Sequence, residues 1–366
     1  MARPQFSIES RAAMSFLWNT LMRPAAFALD AERAHEMGMS ALERGLASPF
    51  YCNDNSFGFE PVELFGLKFP NPVGLAAGFD KNGVVVDPLA RLGFGFVEVG
   101  TVTAQPQPGN PKPRMFRLPD DQALINRLGF NNDGATAVVR RLSRVKRLCI
   151  VGVNIGKNKE VPNEHAVDSY IAALETVEPV ADYIAVNISS PNTPGLRELQ
   201  HDEQFDELLS ALTQNCEKPL LVKIAPDLAG KDIENIVARC LAHNVAGVIA
   251  TNTTVERDGL KTSVTEDLKA GGLSGRPLAD RSNEVISTVH RLSKGKLPII
   301  GVGGVFTAED AFEKIAAGAS LVQAYTGFVY GGPTFPADVC LGLHKILSER
   351  GFSRVAEAVG TGLRAV

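Results

Sequence analysis

The segment Asn187 to Gly195 reads NISSPNTPG and directly follows the apolar run YIAV. Serine and asparagine supply small hydrogen-bonding groups that are easily aimed, and Pro191 and Pro194 restrict the backbone around them. Such a segment suits either turn chemistry on a surface loop or polar chemistry on a catalytic one. Other apolar runs close in the same way, which favours the second. Ala76, Ala77 and Gly78 lead into Phe79-Asp80-Lys81. Thr101, Asn154, Lys223 and Thr251-Asn252-Thr253 each end a further run, and Gly303-Gly304 and Tyr325-Thr326-Gly327 end the last two. Desolvating lysines without partners costs several kcal/mol, so Lys81 and Lys223 answer a bound anion or polar ligand.

Small residues at 303, 304, 326 and 327 let backbone N–H groups approach phosphate oxygens. Gly271 to Gly275, GGLSG, reads as a third close-approach turn. A phosphate at one end and a lysine near the centre suggest flavin mononucleotide (FMN). Lys223 would sit beside the N1–C2=O edge of its ring, and Asn154 and Asn187 would meet a polar substrate stacked on it. The alternatives are structural: an asparagine satisfying backbone groups, and Lys223 paired with Glu98.

The elements that must position these groups alternate along the chain. Candidate strands are PVGLAAG (72–78), FGFVEVGTV (94–102), CIVGVNIG (149–156), YIAVNIS (183–189), LLVKIAP (220–226), GVIATNT (247–253), PIIGVGG (298–304) and SLVQAYTG (320–327). They are near-continuously apolar, as strands covered on both faces are. Helical patterns fall between and after them, at 81–92, 131–147, 163–178, 203–215, 230–243, 281–294, 307–317 and 335–349. Eight β-then-α units predict an α/β protein of the (β/α)8 TIM-barrel class, whose chemistry sits at the carboxyl ends of the strands. A doubly wound sheet is the competitor, but no G-x-G-x-x-G fingerprint follows the first strand. The stretches before the first strand and at 103–130 read as insertions covering the barrel ends.

Residues 1–50 differ. Met14, Leu17, Trp18, Leu21 and Met22 share one helix face, and Arg23-Pro24 breaks that pattern. A second helix begins near Asp30 as its cap, with His35, Met39, Leu42 and Leu46 on one stripe. The expected division is a small N-terminal helical hairpin (1–50) and a catalytic barrel (51–366). A hairpin rich in Met, Leu and Trp, flanked by Arg3, Arg11 and Arg23, suits a membrane interface. Helices that merely cap the barrel are the alternative.

The composition is that of a folded chain, 45% hydrophobic and 21% charged, and a formal net charge of −4 argues against nucleic acid as a partner. The basic run Arg140 to Arg147 reads as a solvated helix face. Cys52, Cys149, Cys216, Cys240 and Cys340 are scattered with no C-x-x-C spacing, so no disulfide framework and no metal site is expected. Neither a signal peptide nor an apolar run of about 18 residues is apparent.

Taken together, AAGFDKNG, EVGTVT, PRMFRL, INRLGFNNDG, VNIGKN, NISSPNTPGLR, VKIAPD, TNTT, GGLSGRPL, IIGVGG and QAYTG resemble the dihydroorotate dehydrogenase family, in its quinone-dependent class, from about Asp30 to the last strand. The resemblance implies an FMN barrel that oxidises dihydroorotate to orotate in pyrimidine synthesis, with membrane quinone as co-substrate. It places FMN on Ala76, Ala77, Gly78, Thr101, Asn154, Asn187, Lys223, Thr251, Gly275, Gly304, Tyr325 and Thr326. It places orotate on Lys81, Asn126, Arg127, Leu128, Gly129, Phe130, Asn187, Asn192, Asn252 and Thr253. Ser190 becomes the base that removes the C5 proton while hydride leaves C6, with Thr193 relaying toward water. The soluble classes carry cysteine at that position, so serine favours the quinone class. His35, Arg117 and Tyr325 would line the inner end of a quinone tunnel through the N-terminal helices. The further expectations are peripheral attachment at the cytoplasmic face of the inner membrane, as in bacterial members, and a monomer or weak homo-oligomer. Competing readings are a soluble FMN barrel using fumarate or NAD, and a non-catalytic membrane-docked sensor.

Overall fold

The structure, a computed structural model, describes residues 8–363 apart from 194 and 201. Arg3, Pro194 and the side chain of Arg11 therefore lie outside the described residues. Eight parallel strands close into a ring: Val73–Leu75, Phe96–Val102, Ile150–Ile155, Tyr183–Asn187, Leu220–Ile224, Gly247–Ala250, Ile299–Val302 and Leu321–Ala324, the last pairing with the first. Each corresponds to one of the apolar runs. Nearly every strand residue is buried, because helices cover the outside and side chains fill the inside.

The amino end of the barrel is sealed. A hairpin of Val62–Leu64 and Leu67–Phe69 lies beneath it. Phe69 inserts edge-on against Phe96, centroids 5.2 Å apart, in a layer with Tyr183, Leu221, Ile249, Ile300 and Leu321. Burying each such side chain contributes roughly 1.5–3 kcal/mol. Polar groups are thereby left to the opposite, carboxyl rim.

That rim carries a second sheet. Met115–Leu118, Ala123–Asn126 and Gly272–Gly275 pair antiparallel, with 123–126 in the middle. GGLSG is thus largely an edge strand of this sheet, where the sequence suggested only a turn. The helix expected at 81–92 begins at Val86. Asp80 is buried, and its carboxylate accepts from the N–H groups of Asn82, Val84 and Val85, which holds that segment as a loop.

Ahead of the barrel, Ile8–Leu17 is α-helical, Trp18–Met22 forms a π-helical turn, and Arg23–Phe27 resumes the α-helix. The expected break at Arg23-Pro24 is absent, because Pro24 falls in the first turn of the short helix, where it needs no N–H partner. Asp30 caps Ala31–Glu43 by accepting from Glu32 N–H and Arg33 N–H, both at 3.0 Å. Trp18 donates its indole N–H to the Tyr330 carbonyl at 2.9 Å, tying the first helix to the barrel. Phe16, Leu21, Met37 and Leu46 are each at least 60% exposed, so the outer face of this element is apolar.

Candidate active site

The carboxyl rim encloses a cavity lined from seven of the eight strands and from the rim sheet. Ala76, Ala77, Gly78, Thr101, Asn187, Lys223 and Thr251 surround its floor. Beneath that floor is Glu98, fully buried within the second strand. Its carboxylate accepts from Asn154 Nδ2 at 2.9 Å, Gln323 Nε2 at 2.9 Å and the Tyr183 hydroxyl at 3.2 Å, with Lys223 Nζ at 3.5 Å. The pairing of Lys223 with Glu98 is therefore real, yet long, and it leaves ammonium protons to the cavity that Lys223 also lines. Asn154 Oδ1 accepts from Thr101 Oγ1 at 2.6 Å and from Asn187 Nδ2 at 3.2 Å, so Asn154 lies under the floor and orients the residues that line it. Two buried oxygens at this cavity, Thr251 Oγ1 and Gln323 Oε1, have no hydrogen-bond partner among the described residues. Such orphans mark the place of a polar ligand.

One end of the cavity is built from Gly275, Gly303, Gly304, Val305 and Thr326. Gly304 has φ of +74°, and a Cβ there would sit 2.4 Å from that of Ala279. The loop after the seventh strand can therefore pack tightly only as glycine. The N–H groups of Gly303, Gly304 and Val305 take no hydrogen-bond partner among the described residues, which forms an anion-binding concavity.

At the other end stand Asn126, Leu128, Phe130, Ser190, Asn192, Asn252 and Thr253. Ser190 is buried, and its Oγ accepts the Asn192 N–H at 3.2 Å. Asn192 Nδ2 donates to Asn126 Oδ1 at 3.2 Å, and Asn252 Nδ2 donates to Asn187 Oδ1 at 3.2 Å. Arg197 fixes the loop from behind, donating to the carbonyls of Ser189 and Thr253 at 3.0 Å and pairing with Asp227 at 2.7 Å.

Besides Asn154, which lies beneath the floor, three of the expected ligand residues do not line this cavity. Arg127 turns outward, donating to the carbonyls of Pro113 and Asp267 over the Phe116 ring. Gly129 makes the left-handed turn that lets the chain approach Asn110. Lys81 lies toward the Ala31–Glu43 helix. Burial pushes its ammonium down to about 8, against the pull of Glu32. Gln323, Arg114 and Asn110 were not singled out from the sequence. A glutamine inside the apolar run SLVQAYTG was the available signal for the first.

A second cavity of about 340 Å³ opens beside the first, between the N-terminal helices and the barrel. Trp18, Phe27, Ala34, His35, Leu42 and Phe79 line it, and it shares a wall of Met115, Leu124 and Tyr325 with the first. His35, Arg117 and Tyr325 are all brought to it. Burial, with the Lys81 charge adding to it, pushes the His35 imidazole down to about 3, so it is neutral near pH 7. Arg117 donates to the carbonyls of Phe27 at 2.8 Å and Leu29 at 2.5 Å, and lies over the Phe27 ring. Among the described residues no His, Cys, Asp and Glu group could hold a metal ion, and no helix is long and apolar enough to cross a membrane.

A (β/α)8 barrel with an anion cradle after its last two strands and a serine loop facing it is the framework of a cofactor-dependent barrel enzyme. The family model for dihydroorotate dehydrogenase matches residues 61–347. The chain belongs to that family. It is 49% identical to a dihydroorotate dehydrogenase (quinone) of Roseiflexus sp. (strain RS-1), covering 94% of this chain and 98% of that one. It is also 49% identical to one of Gloeobacter violaceus, covering 93% and 98% respectively. A ligand-free crystal structure of the Eimeria tenella enzyme superposes with a TM-score of 0.85 at 38% identity, covering 92% of this chain and all of that one.

Proposed function

We propose that the protein oxidises dihydroorotate to orotate in pyrimidine biosynthesis, with FMN as its bound electron carrier and a quinone as the final acceptor. The observation that carries this reading is the pair of adjoining cavities, one polar and one apolar, sharing the wall at Tyr325. The relatives named above are quinone-type dihydroorotate dehydrogenases.

The residues present fit FMN. The orphaned Thr251 and Gln323 oxygens, the Lys223 ammonium and Asn187 match a polar ring edge, and the free N–H groups from Gly303 to Val305 match a phosphate. Ala76, Ala77, Gly78, Thr101, Gly275, Gly304, Tyr325 and Thr326 complete the contacts, and Asn154 supports them from beneath. Bound there, FMN would supply a two-electron acceptor beside the substrate carbon.

The chain's own groups do the rest. Asn126, Asn187, Asn192, Asn252 and Thr253 present donors and acceptors to the imide and amide edges of the substrate, and Lys81, although outside the cavity lining, would offset the carboxylate charge from a distance. Ser190 Oγ takes the proton from C5. No carboxylate or imidazole bonds to Ser190 among the described residues, so as Oγ takes the C5 proton its own hydroxyl proton leaves toward Thr193, and the Asn192 N–H holds Oγ in place. Thr193 carries the proton onward. Pro191 limits the loop to few conformations, which would help it close and exclude water.

In the second cavity, neutral His35 and Arg117 offer donors to quinone carbonyls. The exposed apolar face that carries Phe16, Leu21 and Met37 rests on the membrane surface, placing the protein peripherally at the cytoplasmic side, as a monomer or weak homo-oligomer. The test is Ser190→Ala in anaerobic stopped-flow absorbance. The variant should still bind FMN and orotate, while flavin bleaching by dihydroorotate at neutral pH falls by orders of magnitude. A rate within about threefold of wild type, less than about 1 kcal/mol of barrier, would remove Ser190 as the base.

A further inference from the structure

Between the two cavities runs a chain of polar contacts, buried at its Glu32–Arg114 end and half-buried at Asn110 and Asn192, that the reaction itself does not require. Glu32 stands on the Ala31–Glu43 helix, whose Ala31, Ala34 and His35 line the apolar cavity. Its carboxylate points the other way, to Arg114. Both side chains are buried, at 7% exposure each. Arg114 Nε lies 3.2 Å from both carboxylate oxygens and Nη2 lies 2.8 Å from Oε1. The remaining face of the guanidinium donates from Nη1 to the carbonyls of Pro108 at 2.7 Å and Asn110 at 2.8 Å. This geometry ties the loop 108–114 to the N-terminal helix.

The relay continues from Asn110. Its Nδ2 donates to the Asn192 carbonyl at 3.2 Å and to the Arg127 carbonyl at 3.0 Å, while its Oδ1 accepts from Lys159 at 2.9 Å. Asn192 is the residue whose N–H reaches Ser190 Oγ. A continuous series, Glu32 to Arg114 to Asn110 to Asn192 to Ser190, thus spans from the helix of the apolar cavity to the serine of the polar one. A buried ion pair has two discrete arrangements, made or broken, and breaking it leaves a desolvated charge. That makes it a firm anchor for the loop rather than an elastic one.

We propose that Glu32, Arg114 and Asn110 are positioning residues. They hold the Asn192 carbonyl, and through it the N–H aimed at Ser190, so the N-terminal helix sets the geometry of the serine loop. The inference rests on Ser190 being the base. It implies that anything moving the Ala31–Glu43 helix, a ligand in the apolar cavity included, changes proton removal in the polar one.

The test uses the full-length, FMN-loaded protein. Asn110→Ala removes the side chain joining the two halves and leaves the Arg114 contact to the residue-110 carbonyl in place. Amide exchange over residues 188–193 should quicken about tenfold, and flavin bleaching by saturating dihydroorotate should slow about tenfold. Reoxidation by a short-chain quinone should stay within twofold. Glu32→Gln should reproduce both changes, and the double variant should be no slower than the slower single one, because both act through one link. Multiplied effects, near a hundredfold, would show that Glu32 and Asn110 act separately and would overturn the relay. Should Glu32→Gln fail to fold, Asn110→Ala alone decides: unchanged exchange and unchanged bleaching overturn the proposal. Were wild type not bleached by dihydroorotate at all, the functional reading would fall, and exchange over 188–193 would still decide the relay.

Discussion

At the scale of single residues, Lys81 shows how burial can set a working range. Its ammonium is lowered to about 8, first by burial and then by the nearby Arg114 charge, with Glu32 pulling in the opposite direction. Below that value the side chain is a cation, which under the proposed function would offset a substrate carboxylate; above it, the side chain is a neutral amine. The sign is therefore fixed: KM for dihydroorotate should stay flat from pH 6 to pH 8 and climb above about pH 8, as the charged form disappears. In Lys81→Met the climb should vanish, with KM raised at least about tenfold throughout. Steady-state kinetics across pH check both points, and a wild-type KM that falls above pH 8 would contradict the assignment. His35 moves further, to about 3, and keeps a neutral imidazole with one donor and one acceptor. The two groups share one neighbourhood, where Lys81 adds to the burial that lowers His35.

At the scale of elements, the N-terminal helices differ from the barrel helices in what they cover. A barrel helix buries an apolar stripe against strands, whereas these leave Phe16, Leu21 and Met37 outside and a cavity inside. Gly38 lies in the middle of Ala31–Glu43 and lines that cavity. A Cβ at this position would meet no atom within 4 Å. Gly38→Leu should therefore fill the cavity without strain and strengthen the helix by about 1 kcal/mol, since glycine is a poor helix former. Because the new side chain fills space without displacing the helix, flavin reduction by dihydroorotate should stay near wild type, while reoxidation by quinone slows at least about tenfold, read by double-mixing stopped flow. Unchanged reoxidation would mean that quinone takes another route. The same element shows where local sequence signals stop. Apolar spacing revealed its helices, but the π-helical turn at Trp18–Met22 arises from tertiary contacts such as Trp18 to Tyr330, which lie over 300 residues apart in sequence.

At the scale of the whole molecule, the barrel was legible because each buried strand is a near-continuous apolar run and each polar group stands at its carboxyl end. The serine loop, the glycines of the seventh strand and Lys223 follow from that alternation and were readable with it. Glu98 and Gln323 converge only because strands two and eight flank strand one in the closed ring, a relation that no local window contains. Arg114 to Glu32 and Asn110 to Asn192 join segments 82 residues apart in each case, and the rim strand Gly272–Gly275 needs Ala123–Asn126 as its partner. The interior so assembled leaves buried oxygens unpaired and a row of N–H groups unused, so cofactor binding should stabilise the entire fold. At a hundredfold excess over its dissociation constant, a ligand selective for the native state adds about 2.7 kcal/mol. For a chain of this size that is a rise in Tm of roughly 3–4 °C. FMN added to the stripped protein should produce such a shift in differential scanning fluorimetry. Riboflavin, which has the same ring and no phosphate, should produce much less, because it leaves the groups from Gly303 to Val305 unpartnered. Equal shifts from the two would show that the glycine loop does not bind the phosphate, and no shift from either would remove FMN from the rim cavity.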